Sequence, residues 1–424
     1  MVKIRPFRGI RPLPEYASKV ASKPYDVLSA EEAREEAKGN PYSFLNVIKA
    51  EITLPEGSDP YGEDVYARAR ENLQRLISEG ILIQDDAPRF YIYHQKMEDW
   101  EQSGLVAASS IDDYFNGIIK KHEYTRPKKE KDRIDNIYAL GAQPGPVFLT
   151  YRDVDEINDI IENLSKADPL YHFTSDDEVV HSFWTITDEK IIEKLSTLFN
   201  EKVPASYIAD GHHRAAASAK VGEMMREKAG SYSGEEAFNY FLSVLFPASH
   251  LNIIDYNRVV KDLNGLSTKE FLEKVEEKFE ISESERSVKP EEEHTFGLYI
   301  DGKWYKLQAK AGTFNSEDAV DKLDVSILQK NILDEILDIK DPRTDERVGF
   351  IGGIRGLGEL ERVVNAGKWR AAFSLYPVRI EDLMQISDEG KVMPPKSTWF
   401  EPKLRSGLIL HAFAEEPVEK SEQK

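Results

Sequence analysis

The chain has 424 residues, 40% hydrophobic and 31% charged, which suits a folded protein of two or three domains and excludes a disordered or fibrous one. With 76 acidic against 56 basic residues the formal charge is −20, which argues against a protein that grips the phosphate backbone of nucleic acid. Cysteine is absent, so neither a disulfide nor a thiolate metal site can form. The start Met1-Val2-Lys3-Ile4-Arg5-Pro6 lacks the apolar core of a signal peptide, and nowhere do eighteen uncharged apolar residues follow one another. A cytoplasmic protein without a membrane partner is expected.

Helical and strand patterns alternate irregularly and no repeat is visible, so the expected class is α+β. A short helix is expected over 29–38, with Ser29 and Glu32 spaced as a capping box. A second spans 62–79, with Val65, Ala69, Leu73, Leu76 and Ile77 on one face and Gly80 as its stop. The charge-dense run from Thr125 to Arg133 starts an exposed helix after Pro127. Asp188 caps a helix carrying Ile191, Ile192, Leu195, Leu198 and Phe199, and a strand over 205–209 follows. Asp210-Gly211 then turns tightly, and Arg214 opens an alanine-rich helix to about residue 228.

After Phe246-Pro247 the texture changes. A strand is expected over 251–256, a capping box at Ser267 and Glu270, an acidic loop at Glu291-Glu292-Glu293, and a type I′ hairpin at Asp301-Gly302. These features place domains at 1–246 and 247–414, the second a mixed α/β domain. Residues 415–424, charged and without periodic apolar positions, are expected to form a disordered, solvated tail.

Five constellations carry polar chemistry. In Asp210-Gly211-His212-His213-Arg214, glycine permits positive φ, the imidazoles exchange hydrogen bonds with oxygen, and Arg214 offers a fork for phosphate at a helix start. Its bland alternative is a helix cap with surface histidines. In Met393-Pro394-Pro395-Lys396-Ser397-Thr398-Trp399-Phe400-Glu401-Pro402-Lys403, Lys396 and two hydroxyls suit phosphate oxygens, or the prolines simply make a turn feeding a strand at 408–410. It is no Walker A loop, since the glycines are missing. Asp26, after Lys23-Pro24-Tyr25, is placed equally well as a proton acceptor or as a turn residue. His122-Glu123 is too weak a pattern for a metal pair, and His94, His181 and His250 read as structural or exposed. The glycines of Gly352-Gly353-Ile354-Arg355-Gly356-Leu357-Gly358 do not keep the dinucleotide spacing, so a structural turn is expected.

Taken together, Pro24-Tyr25-Asp26-Val27, Asn40-Pro41, His122-Glu123, Asp132-Arg133, Asp210 to Arg214 and Met393 to Lys403 resemble a conserved-hypothetical family, often labelled ParB-like and associated with free L-serine kinase activity. Spread along the chain, these motifs cover nearly all of it. A wider resemblance, to the ParB and sulfiredoxin superfamily, is confined to the strand–turn–helix at Asp210 to Arg214. It implies a nucleotide-binding element in the N-terminal domain, with His212, His213 and Arg214 on the phosphates. A sulfiredoxin is excluded by the missing cysteine; the acidic remainder offers no support for the DNA-binding domain of a partitioning ParB, which stays a third and weaker reading.

The resemblance implies phosphoryl transfer from ATP, or ADP, to the hydroxyl of free serine, giving O-phosphoserine. The expected parts follow. Asp210 and Glu123 hold Mg²⁺; Gly211, His212, His213, Arg214, Lys396, Ser397, Thr398 and Lys403 contact phosphate. Asp26 is the expected base, ahead of Glu36 and Glu123, with His213 and Lys396 beside it as catalytic groups. Arg8, Arg11, His122 and Glu123 are the candidates for holding serine. The alternative function is a nucleotide-binding or hydrolysing regulator that modifies no amino acid.

Overall fold

The irregular alternation of apolar runs and amphipathic helices becomes, in a computed structural model describing residues 1–413, two compact units. One holds residues 1–251 and 402–413; the other holds residues 252–401. Helices and sheets are mixed and most strand pairs are antiparallel, so the architecture is α+β. The expected tail at 415–424 lies outside the described residues. Among the described residues no helix is long and apolar enough to cross a membrane.

The first unit is built on a mixed sheet. Its strands run in the order Ile119–Lys120, Ser206–Asp210, Val147–Tyr151, Tyr240–Pro247, Trp100–Ser110, Phe90–Met97, Val180–Ile186, Tyr171–Thr174, with Ile4–Arg5 also paired to Trp100–Ser110. Val147–Tyr151 and Tyr240–Pro247 are buried at every position, as strands covered on both faces must be, and they pair in parallel. Leu105, Val147, Leu149, Ile208, Phe241 and Leu245 form the sheet's share of one core, against Leu195, Phe199, Ala215 and Ala219 from helices. A second core gathers Val20, Phe44, Leu45, Val65, Leu73, Leu76 and Leu410.

The helix Glu63–Ser78 buries Val65, Ala69, Leu73 and Leu76, the face its periodicity predicts, and Gly80 at φ 72° ends the segment. Each fully buried leucine contributes about 1.5–3 kcal/mol. Ser29 caps Ala30–Ala37 through a complete capping box with Glu32, and the Asp188 carboxylate accepts from the amides of Lys190 and Ile191. The expected strand at 408–410 is instead a single bridge from Leu410 to Ile10, and pairing resumes only where His411–Ala412 meets Ala142–Gln143. Gly407, at φ 88° and packed against Phe44, bends the chain there.

The second unit carries a six-stranded antiparallel sheet in the order Phe279–Ser284, Lys303–Ala309, Thr295–Ile300, Ala371–Leu375, Tyr256–Val260, Val348–Gly352. Asp301 and Gly302, at φ 50° and 77°, make the two-residue hairpin turn that their sequence demands. The strand expected over 251–256 is broken: Asn252–Ile254 pairs with Trp399–Glu401, while Tyr256–Val260 joins the larger sheet. Asp255 interrupts it because its carbonyl accepts from Gly353 at 2.8 Å. The glycine run is a structural turn, as expected. The strand before it is antiparallel, and a Cβ on Gly352 would press on the Trp399 indole at 3.0 Å.

Candidate anion site at a helix start

Strand Ser206–Asp210 leads through Gly211, at φ 94°, into helix His212–Ala229. Glycine is required there twice over. The backbone conformation excludes most side chains, and a Cβ would lie 3.0 Å from Arg214 Nε and 3.2 Å from its Cζ and Nη2. The Arg214 side chain thus folds back over the turn. It is 8% exposed, its Nη1 donates to the Pro146 carbonyl, and its Nε finds no acceptor among the described residues.

Asp210 is engaged at both oxygens, accepting from Gly211 N at 2.7 Å and from Lys403 Nζ at 3.0 Å. Arg214 and Lys403 together with the positive helix end outweigh the single carboxylate, so the turn favours an anion. Lys403 is brought there by the returning segment. Gln95 Nε2 donates to the Lys403 carbonyl at 2.9 Å and Gln102 Nε2 to that of Pro402 at 3.2 Å. Ser406 and Ser22 exchange backbone hydrogen bonds at 2.8 and 3.0 Å. Buried Arg405 ties the same segment to Asp177, Ser175 and His181. Sequence reasoning missed Arg405 entirely, and it attached no partner to Lys403.

His212 is fully buried in a T-shaped stack with His122, ring centroids 4.4 Å apart, and its Nε2 accepts from the His122 amide at 3.4 Å. Burial pushes His122 down to about 4 and His212 well below its ordinary value; for His212 the neighbouring His122 adds to the effect. Both are neutral imidazoles at pH 7. His213, half-buried, accepts from the Arg126 amide through Nε2 at 3.0 Å. His181 is a core residue, with the Tyr93 hydroxyl 2.8 Å from Nδ1.

The buried pair has a pH consequence. Below the unfolded histidine pKa of about 6.5 the unfolded chain takes up protons that the folded chain refuses, so stability falls as pH drops from about 6.5 towards 4. For His122 alone the loss reaches about 3 kcal/mol at the lower end. Calorimetric melting between pH 7 and 4.5 should show a decline that is shallower in His122→Asn. Equal slopes would refute the assignment.

Asp26 is exposed, next to Tyr25, whose ring lies 3.9 Å from the Arg133 guanidinium. Arg133 donates to Asp132 Oδ2 from Nε at 2.9 Å and Nη2 at 2.6 Å, and the Tyr66 hydroxyl donates to Asp132 Oδ1 at 3.0 Å. Burial first, and then the Asp26 charge, pushes the Tyr25 phenol up against the opposing pull of Arg133 and Arg214. Glu36 is paired with Lys23 at 2.9 Å.

The remaining expected residues are placed elsewhere. Arg11 is ion-paired with Asp85 at 2.7 Å, and Arg8 Nε donates to the Asp85 carbonyl at 3.0 Å. Glu123 is half-buried beside His122. Lys396, Ser397 and Thr398 belong to the second unit, whereas Lys403 belongs to the first, so the Met393 to Lys403 run divides after Glu401. Within the second unit Ser397 Oγ donates to the Pro394 carbonyl at 2.6 Å, and Arg258 Nη2 donates to that of Pro395 at 3.3 Å. No group of three or more His, Asp or Glu among the described residues is arranged to hold a metal ion.

Fold and site together define an α+β protein in which two basic side chains converge on an acidic turn at a helix start, an arrangement suited to a small anion. The chain belongs to the family described as "Protein of unknown function (DUF1015)", which matches residues 4–326. No curated protein matches it. Among solved structures it is similar to a conserved hypothetical protein from Pyrococcus furiosus, at 15% identity, over 72% of this chain and 95% of that one, with a TM-score of 0.35. It is also similar to free serine kinase in complex with AMP, at 14% identity, over 72% of this chain and 92% of that one, with a TM-score of 0.36.

Proposed function

We propose that the protein is a small-molecule kinase that transfers a phosphoryl group from ATP or ADP to the hydroxyl of free L-serine. The observation that carries the phosphoryl half is Arg214: a buried guanidinium, folded over a glycine turn, with an Nε that no acceptor among the described residues satisfies and Lys403 beside the same turn. A buried donor left unpaired is unfavourable by about 1–3 kcal/mol, and a phosphate oxygen removes that penalty. The choice of serine, and the assignment of the turn to nucleotide phosphates as in ParB-like and sulfiredoxin-like proteins, rest on the motif resemblance.

In this reading Arg214, Lys403 and the first-turn amides of His212–Ala229 hold the phosphate chain. Asp26 takes the proton of the serine hydroxyl as its oxygen attacks phosphorus, and the bond from phosphorus to the nucleotide's bridging oxygen breaks. The products are O-phosphoserine and the nucleotide shortened by one phosphate. Phosphoryl transfer asks the protein chiefly for positioning and charge neutralisation, which these side chains supply. Asp210, with one oxygen on Lys403, fits Mg²⁺ only as one ligand among several oxygens brought by the nucleotide. Such an ion would neutralise phosphate charge.

Incubating the full chain with labelled ATP or ADP, Mg²⁺ and each free amino acid tests the proposal. Transfer to serine is the expected result, and hydrolysis without transfer would instead make the protein a nucleotide-hydrolysing regulator. Asp26→Asn should leave nucleotide affinity unchanged and lower kcat by about 10²–10⁴. An unchanged kcat would remove Asp26 from the mechanism.

A further inference from the structure

The first unit contains a cavity of about 310 Å³ walled in part by Tyr25, Asp26, Asp132, Arg133 and Asn136. Asn136 lies one turn after Arg133 on helix Pro127–Leu140; it is 3% exposed, and its Oδ1 has no hydrogen-bond partner among the described residues. A buried carbonyl oxygen in that state calls for a donor. The same wall offers charge of the other sign. Arg133 uses Nε and Nη2 on Asp132, and neither bond engages Nη1. Lys49 and Glu51, paired at 3.1 Å, and Lys129 also line it, so both signs of charge recur.

An apolar ligand would leave these groups unsatisfied. A simple anion would meet Asp26 and Asp132, and a simple cation would meet Arg133 and Lys49. A small zwitterion satisfies both sets. Tyr25, which lines the cavity, feels the charge of both Arg133 and Arg214.

We propose that this cavity is the acceptor subsite, taking a free α-amino acid whose ammonium donates to Asn136 Oδ1 and whose carboxylate meets Arg133 Nη1. This rests on the reading above that the acceptor is a free amino acid, and it moves the carboxylate contact away from Arg8 and Arg11, which are engaged at Asp85.

Calorimetric titration of the full chain with L-serine, 3-hydroxypropionate (no ammonium) and ethanolamine (no carboxylate) tests it. Asn136→Ala should weaken L-serine binding roughly ten- to a hundredfold, the value of a hydrogen bond to a charged group, and leave 3-hydroxypropionate binding unchanged. Asn136→Asp, which keeps the shape, should tighten ethanolamine severalfold, so the test survives if the alanine variant fails to fold. No binding of L-serine to the wild type would overturn the subsite, as would equal L-serine affinity in wild type and Asn136→Ala, or unchanged ethanolamine affinity in Asn136→Asp. Nucleotide affinity, read separately in Arg214→Ala, reports on the kinase reading alone. Asn136-dependent serine binding in a protein that transfers no phosphate would sink that reading and leave the subsite standing.

Discussion

Replacing Arg214 by alanine is expected to weaken binding of ATP, ADP and AMP about a hundredfold, the sum of one or two charge-assisted hydrogen bonds removed from a desolvated site. Arg214→Lys should recover only part of the loss, because an ammonium keeps the charge but not the planar fork. Gly211→Ala should act in the same direction for a different reason. Its Cβ would meet the guanidinium at 3.0 Å, and the backbone sits at φ 94°, so the turn and the arginine must both shift. Titration calorimetry with each nucleotide checks all three variants. Wild-type affinity in Arg214→Ala would show that the buried guanidinium serves only to hold the Pro146 carbonyl.

The largest effect on stability is expected at Asp85. This carboxylate is 4% exposed and accepts from Arg11 Nε at 2.9 and 3.1 Å, from Arg11 Nη2 at 2.7 Å and from the Tyr91 hydroxyl at 2.6 Å. Asp85→Ala strands a guanidinium and a phenol in the interior at once. Breaking a buried pair from one side destabilises by about 3–5 kcal/mol, and a drop of roughly 10 °C in melting temperature should follow. Asp85→Asn retains an acceptor for Tyr91 and should fall between. Nucleotide affinity at temperatures below melting should not change, since the partners of Asp85 among the described residues are Arg8, Arg11, Tyr91 and the Gly9 carbonyl, none of them at the anion site. A shift of less than about 1 kcal/mol in Asp85→Ala would mean that water or a rearranged neighbour replaces the lost carboxylate.

Much of the local structure was legible from the residues. Ser29 with Glu32, Asp188, and Ser267 with Glu270 mark helix starts because a side chain two or three positions away can reach an unpaired amide. Val65, Ala69, Leu73 and Leu76 mark a buried face because helical geometry places them on one side. Asp301-Gly302 and Asp210-Gly211 mark turns because few residues tolerate positive φ. The helix start that follows Gly211 could be recognised as a place for an anion because its first amides lack helical partners, although the helix begins at His212 and not at Arg214.

The rest of the site was not. Lys403 reaches Asp210 across 193 positions, Arg405 reaches Asp177 across 228, and Gln95 holds the Lys403 carbonyl across 308. Arg8 and Arg11 are, by sequence, candidates for holding serine, yet both are engaged at Asp85, more than seventy positions away. Met393 to Lys403 read as one motif, yet the chain passes from one compact unit to the other inside it. Caps, turns and amphipathic faces depend on interactions within about one helical turn or one hairpin, so the amino-acid order alone settles them. Which distant cation meets which carboxylate depends on strand order, on register and on where the chain returns. Those are decided only when the whole core closes, because no local stretch contains both partners.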